Sequence, residues 1–230
     1  MSLILGIDTS SIDLGIGLFR DNISLSSYSR YVRNSHAEHL AQAVKMILES
    51  NSIDPDDISH IAISCGPGSF TGLRIGIAFV KGFCTGKNIP VYPVSSLEIL
   101  AHAALRQEGR VIAAIDARND HIFWGEFLFT DWKISRISHD RVGSIDKFLE
   151  CIDENSVIVT DKMGYQKSTV FSSLKTSIPV EKCSLQRGLY CALLGSSQID
   201  NKNVWLETTE ILPNYLRESP VKHQVLKASV

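Results

Sequence analysis

Hydrophobic and polar positions alternate in blocks that change period along the chain. Leu3–Asp8 and Leu14–Arg20 are apolar runs flanking the polar turn Thr9-Ser10-Ser11-Ile12-Asp13, which predicts two paired strands, and Ser24–Val32 predicts a third. Ser35, followed three residues on by Glu38, has the form of a capping box. Leu40, Val44, Ile47 and Leu48 then recur at helical spacing, so a helix is expected over His36–Ser50. His60–Cys65 reads as a short apolar strand. It runs into Gly66-Pro67-Gly68-Ser69-Phe70-Thr71-Gly72, and the helix beyond is expected over Phe70–Gly86. Pro90–Val94 is another strand, and Ser95 with Glu98 signals a second capping box for a helix to about Glu108.

The second half repeats the order. Val111–Ala117 and His121–Phe129 flank the polar turn Arg118-Asn119-Asp120, and Lys133–Ser138 supplies a third strand. A helix over Ser144–Ile152, a strand over Ser156–Thr160, a helix over Met163–Leu174, a strand over Ile178–Lys182 and a helix from about Leu185 to Ser197 complete it. Both halves read β-β-β-α-β-α-β-α, with Asp8 and Asp116 at matching places 108 residues apart. Such a duplication predicts an α/β chain of two similar lobes, each a mixed sheet covered by helices. The expected division is 1–108, 109–212 and a C-terminal segment 213–230 that is partly flexible. No low-complexity linker separates the lobes, so they are expected to share an interface.

Composition narrows the class. The chain has 230 residues, long enough for two small lobes with a common core. Its 23 Lys+Arg against 25 Asp+Glu give a net charge of −2, which argues against gripping tRNA or DNA alone through phosphates. The apolar runs are too short to span a bilayer, and the first residues lack the basic region of a signal peptide, so a cytoplasmic protein without membrane attachment is expected. The five cysteines, Cys65, Cys84, Cys151, Cys183 and Cys191, form no CxxC pair and read as reduced thiols.

Two segments invite a chemical reading. Asp8 and Asp116, at the ends of the first strands, are candidates to hold hydrated Mg²⁺ under a nucleotide, with Thr9, Ser10 and Arg118 at the phosphates. Equally, each Asp can cap its own hairpin turn. The turn after Asp8 lacks lysine, and glycine is absent between Asp8 and Leu14. The glycine loop places backbone N–H groups near a helix N-terminus but has neither the Lys-Ser/Thr pair of a Walker loop nor the third glycine of a dinucleotide fingerprint. Gly72, Gly76, Gly82 and Gly86 in the following helix each cost stability, which close approach of another helix, internal or from a second chain, would offset. Arg74 opposes the helix dipole there, against a purely structural role. His36 and His39 lack a third metal ligand at sensible spacing, and Ser69 and Thr71 lack an evident histidine base. The run Phe123, Trp124, Phe127, Phe129 reads as a buried strand.

Taken together, Asp8-Thr9-Ser10 resembles the opening of the actin/Hsp70-like (ASKHA) superfamily. Within it, Gly66 through Gly76 (Gly-Pro-Gly-Ser-Phe-Thr-Gly-Leu-Arg-Ile-Gly) resembles the signature of the TsaB (YeaZ) family. Asp116-Ala117-Arg118 and Pro213-Asn214-Tyr215-Leu216-Arg217 extend the resemblance over nearly the whole chain. The resemblance implies a two-lobed actin-like fold and a non-catalytic, cofactor-free part in tRNA threonylcarbamoyladenosine synthesis, as heterodimer partner of the transferase TsaD. The ATPase TsaE joins them and tRNA binds only through the complex, while homodimer and monomer both stay open for the subunit alone. The metal-holding His-x-x-x-His of TsaD corresponds to Ser96 and Leu100, neither an imidazole. Pairing through the first-lobe helices implies an interface of His39, Gly68, Ser69, Phe70, Thr71, Gly72, Arg74, Ile75, Gly76 and Phe79. A bulky residue at Gly72 or Gly76 is then expected to abolish pairing and leave the fold intact. The rival readings are an actin-like ATPase or small-molecule kinase using Asp8 and Asp116 with Mg²⁺-ATP, and a glycoprotease-like peptidase whose site the sequence does not locate.

Overall fold

A computed structural model describes residues 2–32, 35–102, 108–131, 133–161, the backbone of 180–182, and 186–216. Strands β1 (Leu3–Asp8), β2 (Asp13–Arg20) and β3 (Ile23–Tyr31) are followed by α1 (His36–Ser50), β4 (His60–Gly66), α2 (Phe70–Phe83), β5 (Val91–Ser95) and α3 (Ser96–His102). They form a sheet of order β3-β2-β1-β4-β5, antiparallel through the hairpins and parallel from β1 to β4 and from β4 to β5. The second half gives β6 (Gly109–Arg118), β7 (His121–Thr130), β8 (Lys133–Arg136), β9 (Arg141–Ser144), α4 (Ile145–Leu149), β10 (Ser156–Thr160), β11 (Val180–Lys182) and α5 (Arg187–Ser196). Its sheet runs β11-β10-β6-β7-β8, the order of the first, with β9 also paired to β7. The two-lobed α/β architecture is therefore duplicated, strand for strand, around β1 and β6.

Strand period explains the layering. On one side of the first sheet Leu3, Leu5 and Ile7 pack with Leu40, Val44 and Ile47 of α1 and Ile77 and Val80 of α2. On the other side Ile4 meets Cys191, Ala192 and Leu194 of α5 together with Ile99 of α3. A strand buried on both faces has to be apolar along its length, and β1 is from Leu3 to Ile7, with Asp8 the one charged residue at its end. In the second sheet Val111, Ala113, Phe127 and Phe129 receive Leu97, Leu100 and Ala101 of α3, while Ile112, Ala114, Ile122 and Trp124 receive Phe148 of α4. The closing helix of each half thus packs on the sheet of the other half. This exchange builds the lobe interface. For α5 it demands glycine, because a Cβ on Gly6, Gly15 or Gly17 would come under 3.0 Å from the backbone of Gly188, Leu189 or Ala192.

Local differences have local causes. Ser35 precedes α1 but makes no side-chain cap, so that capping box does not form. Ser95 Oγ accepts from the N–H of Leu97 and Glu98 at 3.2 and 3.4 Å, but Glu98 points to Arg136 and not back to the cap, so the second box is half formed. The expected strand to Ser138 ends at Arg136, and β9, unanticipated, follows. The helix over Ser144–Ile152 shortens to α4, with Ser144 as its N-cap. The expected helix over Met163–Leu174, the stretch 103–107, Cys183 and the tail from 217 lie outside the described residues. Residues 205–216 fold back on the first lobe. Leu206 bridges to Val91, Trp205 lies edge-on to His60 at 4.7 Å, Ile211 is buried, and the Asn214 N–H donates to the Cys65 carbonyl at 2.7 Å.

Candidate functional site

The end of β1 is sealed. Asp8 is 0% exposed. Its Oδ1 accepts from the Ser10 N–H at 2.9 Å and from Ser64 Oγ at 2.5 Å, while Oδ2 accepts from Arg187 Nε at the start of α5. Arg187 Nη2 also donates to Ser10 Oγ at 2.8 Å, so one guanidinium spans the carboxylate and its turn. Burial alone would raise the Asp8 pKa. The Arg187 charge and the hydrogen bonds from Ser64 and Ser10 outweigh it and hold the carboxyl below its ordinary value. In the second half Asp116 turns back on its own hairpin, Oδ1 accepting from the Arg118 N–H at 2.7 Å. Both aspartates therefore cap their turns, and Asp8 carries an internal cation where the nucleotide reading needed Mg²⁺. A kinase or ATPase site here would require Arg187 to leave a closed pocket. Mg²⁺-ATP is accordingly expected to leave the melting temperature unchanged in a thermal-shift titration. A rise that grows with ATP, as mass action requires of a native-state ligand, would restore the nucleotide reading.

The glycine loop packs on the same turn. The Ser69 N–H donates to the Ser10 carbonyl at 2.7 Å, and Ser69 Oγ caps α2 by accepting from the Gly72 N–H at 3.2 Å. A Cβ on Gly68 would fall under 3.0 Å from the Ser10 carbonyl oxygen, one on Gly72 equally close to the Thr9 carbonyl oxygen, and one on Gly76 to Thr9 Oγ1. Gly72 and Gly76 are buried. This corrects the sequence-based expectation: these glycines answer to Thr9 and Ser10 of the same chain, and a bulky side chain at Gly72 or Gly76 opposes the fold itself. At Gly82, by contrast, a Cβ would meet none of the described residues within 4 Å.

The remaining candidates divide by face. His36 is buried against the β1–β2 turn, where burial lowers its pKa and the backbone of Asp13 and Ser11 and the Asp8 charge oppose that shift. His39 is half-buried, as are Ile75 and Phe79, which pack against the core beneath α1 and α2. Ser69, Phe70, Thr71, Arg74, Ala78 and Gly82 are exposed, with Ala37, Ala41, Lys45 and Met46 exposed on the adjacent α1. Among the described residues no three His, Cys, Asp or Glu side chains gather to hold a metal. Burial pushes the Cys65 thiol up to about 12, far from a nucleophile's range.

Sequence reading missed Arg187 and Ser64, whose roles appear only when α5 and β4 close on β1. Their one sequence signal is the Arg187-Gly188 pair facing the alternating glycines of β1 and β2. It also missed a latch across the lobes. Ser95 Oγ donates to Asp140 Oδ2 at 2.6 Å, and Arg136 donates to Asp140 Oδ1 at 2.6 Å and to Glu98 Oε2 at 3.0 Å. Burial works against the charged form of Arg136, and the two carboxylates more than reverse this, raising its pKa. These groups line an open cleft of about 510 Å³ between the lobes, walled on the third side by Leu206, Leu212 and Asn214.

The chain is similar to several known proteins. The family described as TsaD, tRNA N6-adenosine threonylcarbamoyltransferase, matches residues 30–212. The tRNA threonylcarbamoyladenosine biosynthesis protein TsaB of Bacillus subtilis is 32% identical over 151 residues, covering 66% of each chain. TsaB of Escherichia coli is 36% identical over 126 residues and 54% of each chain. The chain thus spans between about half and two thirds of these two relatives, whereas it matches Haemophilus influenzae TsaB at 24% identity over 93% of each. The structure of YeaZ from Pseudomonas aeruginosa superposes with a TM-score of 0.81 at 27% identity, covering 94% of this chain and 100% of that one.

Proposed function

Because the chain belongs to the TsaD family of tRNA N6-adenosine threonylcarbamoyltransferases, and its named relatives are TsaB proteins, we propose that it serves tRNA threonylcarbamoyladenosine synthesis as a non-catalytic subunit that pairs with TsaD. The observation that carries this reading is the sealed Asp8–Arg187 pair. The carboxylate placed for nucleotide chemistry is neutralised from within, which supports a role through a surface over one through chemistry at this carboxylate. That surface is the outward side of α1 and α2, where Ala37, Ala41, Ala78 and Gly82 are exposed and small, so a partner helix can approach closely. Gly82, and not Gly72 or Gly76, has the intermolecular role, since among the described residues none comes within 4 Å of a Cβ there. Docking there biases the arrangement of the partner's lobes, and activation is a shift between states the partner already samples. TsaE joins as the ATPase, tRNA binds through the assembled complex, the same face makes a homodimer when the chain is alone, and the assembly works in the cytoplasm.

The test is co-purification with the same organism's TsaD, followed by a tRNA threonylcarbamoylation assay. Wild type is expected to form a heterodimer and stimulate modification, while being inert alone. Ala78→Arg, at an exposed position, is expected to keep the fold by circular dichroism and lose both pairing and stimulation. Stimulation that survives Ala78→Arg unchanged would refute this face as the contact.

A further inference from the structure

We propose that Arg74, held by the stacked rings of Phe70 and Tyr215, is a preset anchor for one carboxylate on the protein that docks against α2, an inference that rests on the pairing role above. The Arg74 guanidinium lies 3.8 Å above the Phe70 ring, and Phe70 in turn stacks on Tyr215 with centroids 4.8 Å apart. Arg74 Nε donates to Tyr215 Oη at 3.0 Å. The bond at Nε and the ring over its face hold this exposed side chain and leave its terminal nitrogens without a hydrogen bond among the described residues, the fork that meets a carboxylate bidentately. Among the described residues no carboxylate forms an ion pair with Arg74.

The surroundings call for a negative charge. The first turn of α2 holds no acidic residue, so the partial positive charge of its N-terminus adds to Arg74 unopposed. The rim is apolar and open, with Phe70 37%, Tyr215 42% and Leu212 72% exposed. Aromatic rings around an arginine are the composition of a binding hot spot, where exclusion of water strengthens the ion pair. The C-terminal strap belongs to this surface, because Tyr215 meets Arg74 next to Asn214, whose N–H is tied to the Cys65 carbonyl. A nucleic-acid phosphate fits less well. Phosphate tracks need several cations, whereas Phe70, Thr71, Arg74, Ala78 and Gly82, the exposed residues of α2, include only this one, and the chain's net charge is −2.

The experiment titrates the same organism's TsaD with wild type, Arg74→Glu, Arg74→Lys, Tyr215→Phe and Ala78→Arg by calorimetry at low and high salt, with thermal melts as a fold control. Arg74→Glu is expected to weaken pairing at least ~30-fold and to flatten its salt dependence. Arg74→Lys, which neither forks nor stacks, is expected to lose about 10-fold, and Tyr215→Phe a few-fold. If Ala78→Arg abolishes pairing but Arg74→Glu binds as wild type does, the anchor is wrong and the pairing face stands. If wild type does not pair, the pairing reading falls and takes the anchor with it; if wild type pairs and neither variant weakens it, the α1–α2 face is not the contact and the anchor falls with that face, while pairing stands. If Arg74→Glu pairs normally yet lowers the affinity of the complex for unmodified tRNA, Arg74 contacts phosphate and the proposal is overturned.

Discussion

Replacing Arg187 by methionine is expected to cost the protein about 3–5 kcal/mol at pH 7, the range for removing one partner of a buried ion pair. Methionine keeps most of the volume, so the loss comes from leaving the Asp8 carboxylate buried without the guanidinium, with the hydrogen bonds from Ser10 and Ser64 remaining. The pH dependence identifies the cause. In the wild type the Asp8 pKa is lowered, so its contribution is present above the unfolded value of 3.8 and is lost only as pH falls through the still lower folded value. In Arg187→Met, burial prevails and the folded pKa rises above the unfolded one. The penalty then shrinks as pH falls toward about 4 and the carboxyl takes up its proton in both states. Urea denaturation of the two proteins at pH 7 and pH 4.5 reads this directly. Asp8→Asn in the Arg187→Met background is expected to recover part of the loss at pH 7. A deficit that does not change with pH would assign Arg187 to packing alone.

Two glycines in one helix are expected to respond in opposite directions. Gly72→Ala places a Cβ under 3.0 Å from the Thr9 carbonyl oxygen, a backbone atom of the buried turn, so α2 has to move away from β1. Overpacking against backbone is expected to cost about 3 kcal/mol, visible as a lower denaturation midpoint. Gly82→Leu adds a side chain in open space and replaces the poorest non-proline helix former with a good one, worth up to about 1 kcal/mol of added stability. The same substitution is expected to abolish pairing with TsaD by filling the space a partner helix needs. Thermal melts and size-exclusion chromatography on both variants separate the two roles. A stable Gly72→Ala, or a Gly82→Leu that still pairs, would reverse the assignment made from the geometry.

The hydrophobic periods were sufficient for most of the fold. Two-residue alternation and short apolar runs located the hairpins β1–β2 and β6–β7, and helical spacing located α1, because each pattern reports which face of a local element is buried. The duplication was legible for the same reason, with Asp8 and Asp116 at matching places near the ends of β1 and β6. Capping was less so. Ser35 has the right neighbour in Glu38 but not the bonded geometry, since a cap depends on how the chain enters the helix as well as on residue type.

Residue types by themselves determined that this chain makes two α/β lobes, that the turns after Asp8 and Asp116 are polar hairpin ends, and that a glycine-rich segment opens a helix of the TsaB pattern. The exchange of α3 and α5 between lobes was decided by the tertiary structure, and so were Arg187 as the counter-charge of Asp8, the inward demand on Gly72 and Gly76, and the clamp of Tyr215 on Arg74. Each of these joins residues far apart in the chain, as Asp8 with Arg187 and Arg74 with Tyr215. A pattern along a sequence records the burial of each position against its near neighbours. Which distant group completes that burial is settled only when the sheets stack and the free energy of packing selects one arrangement.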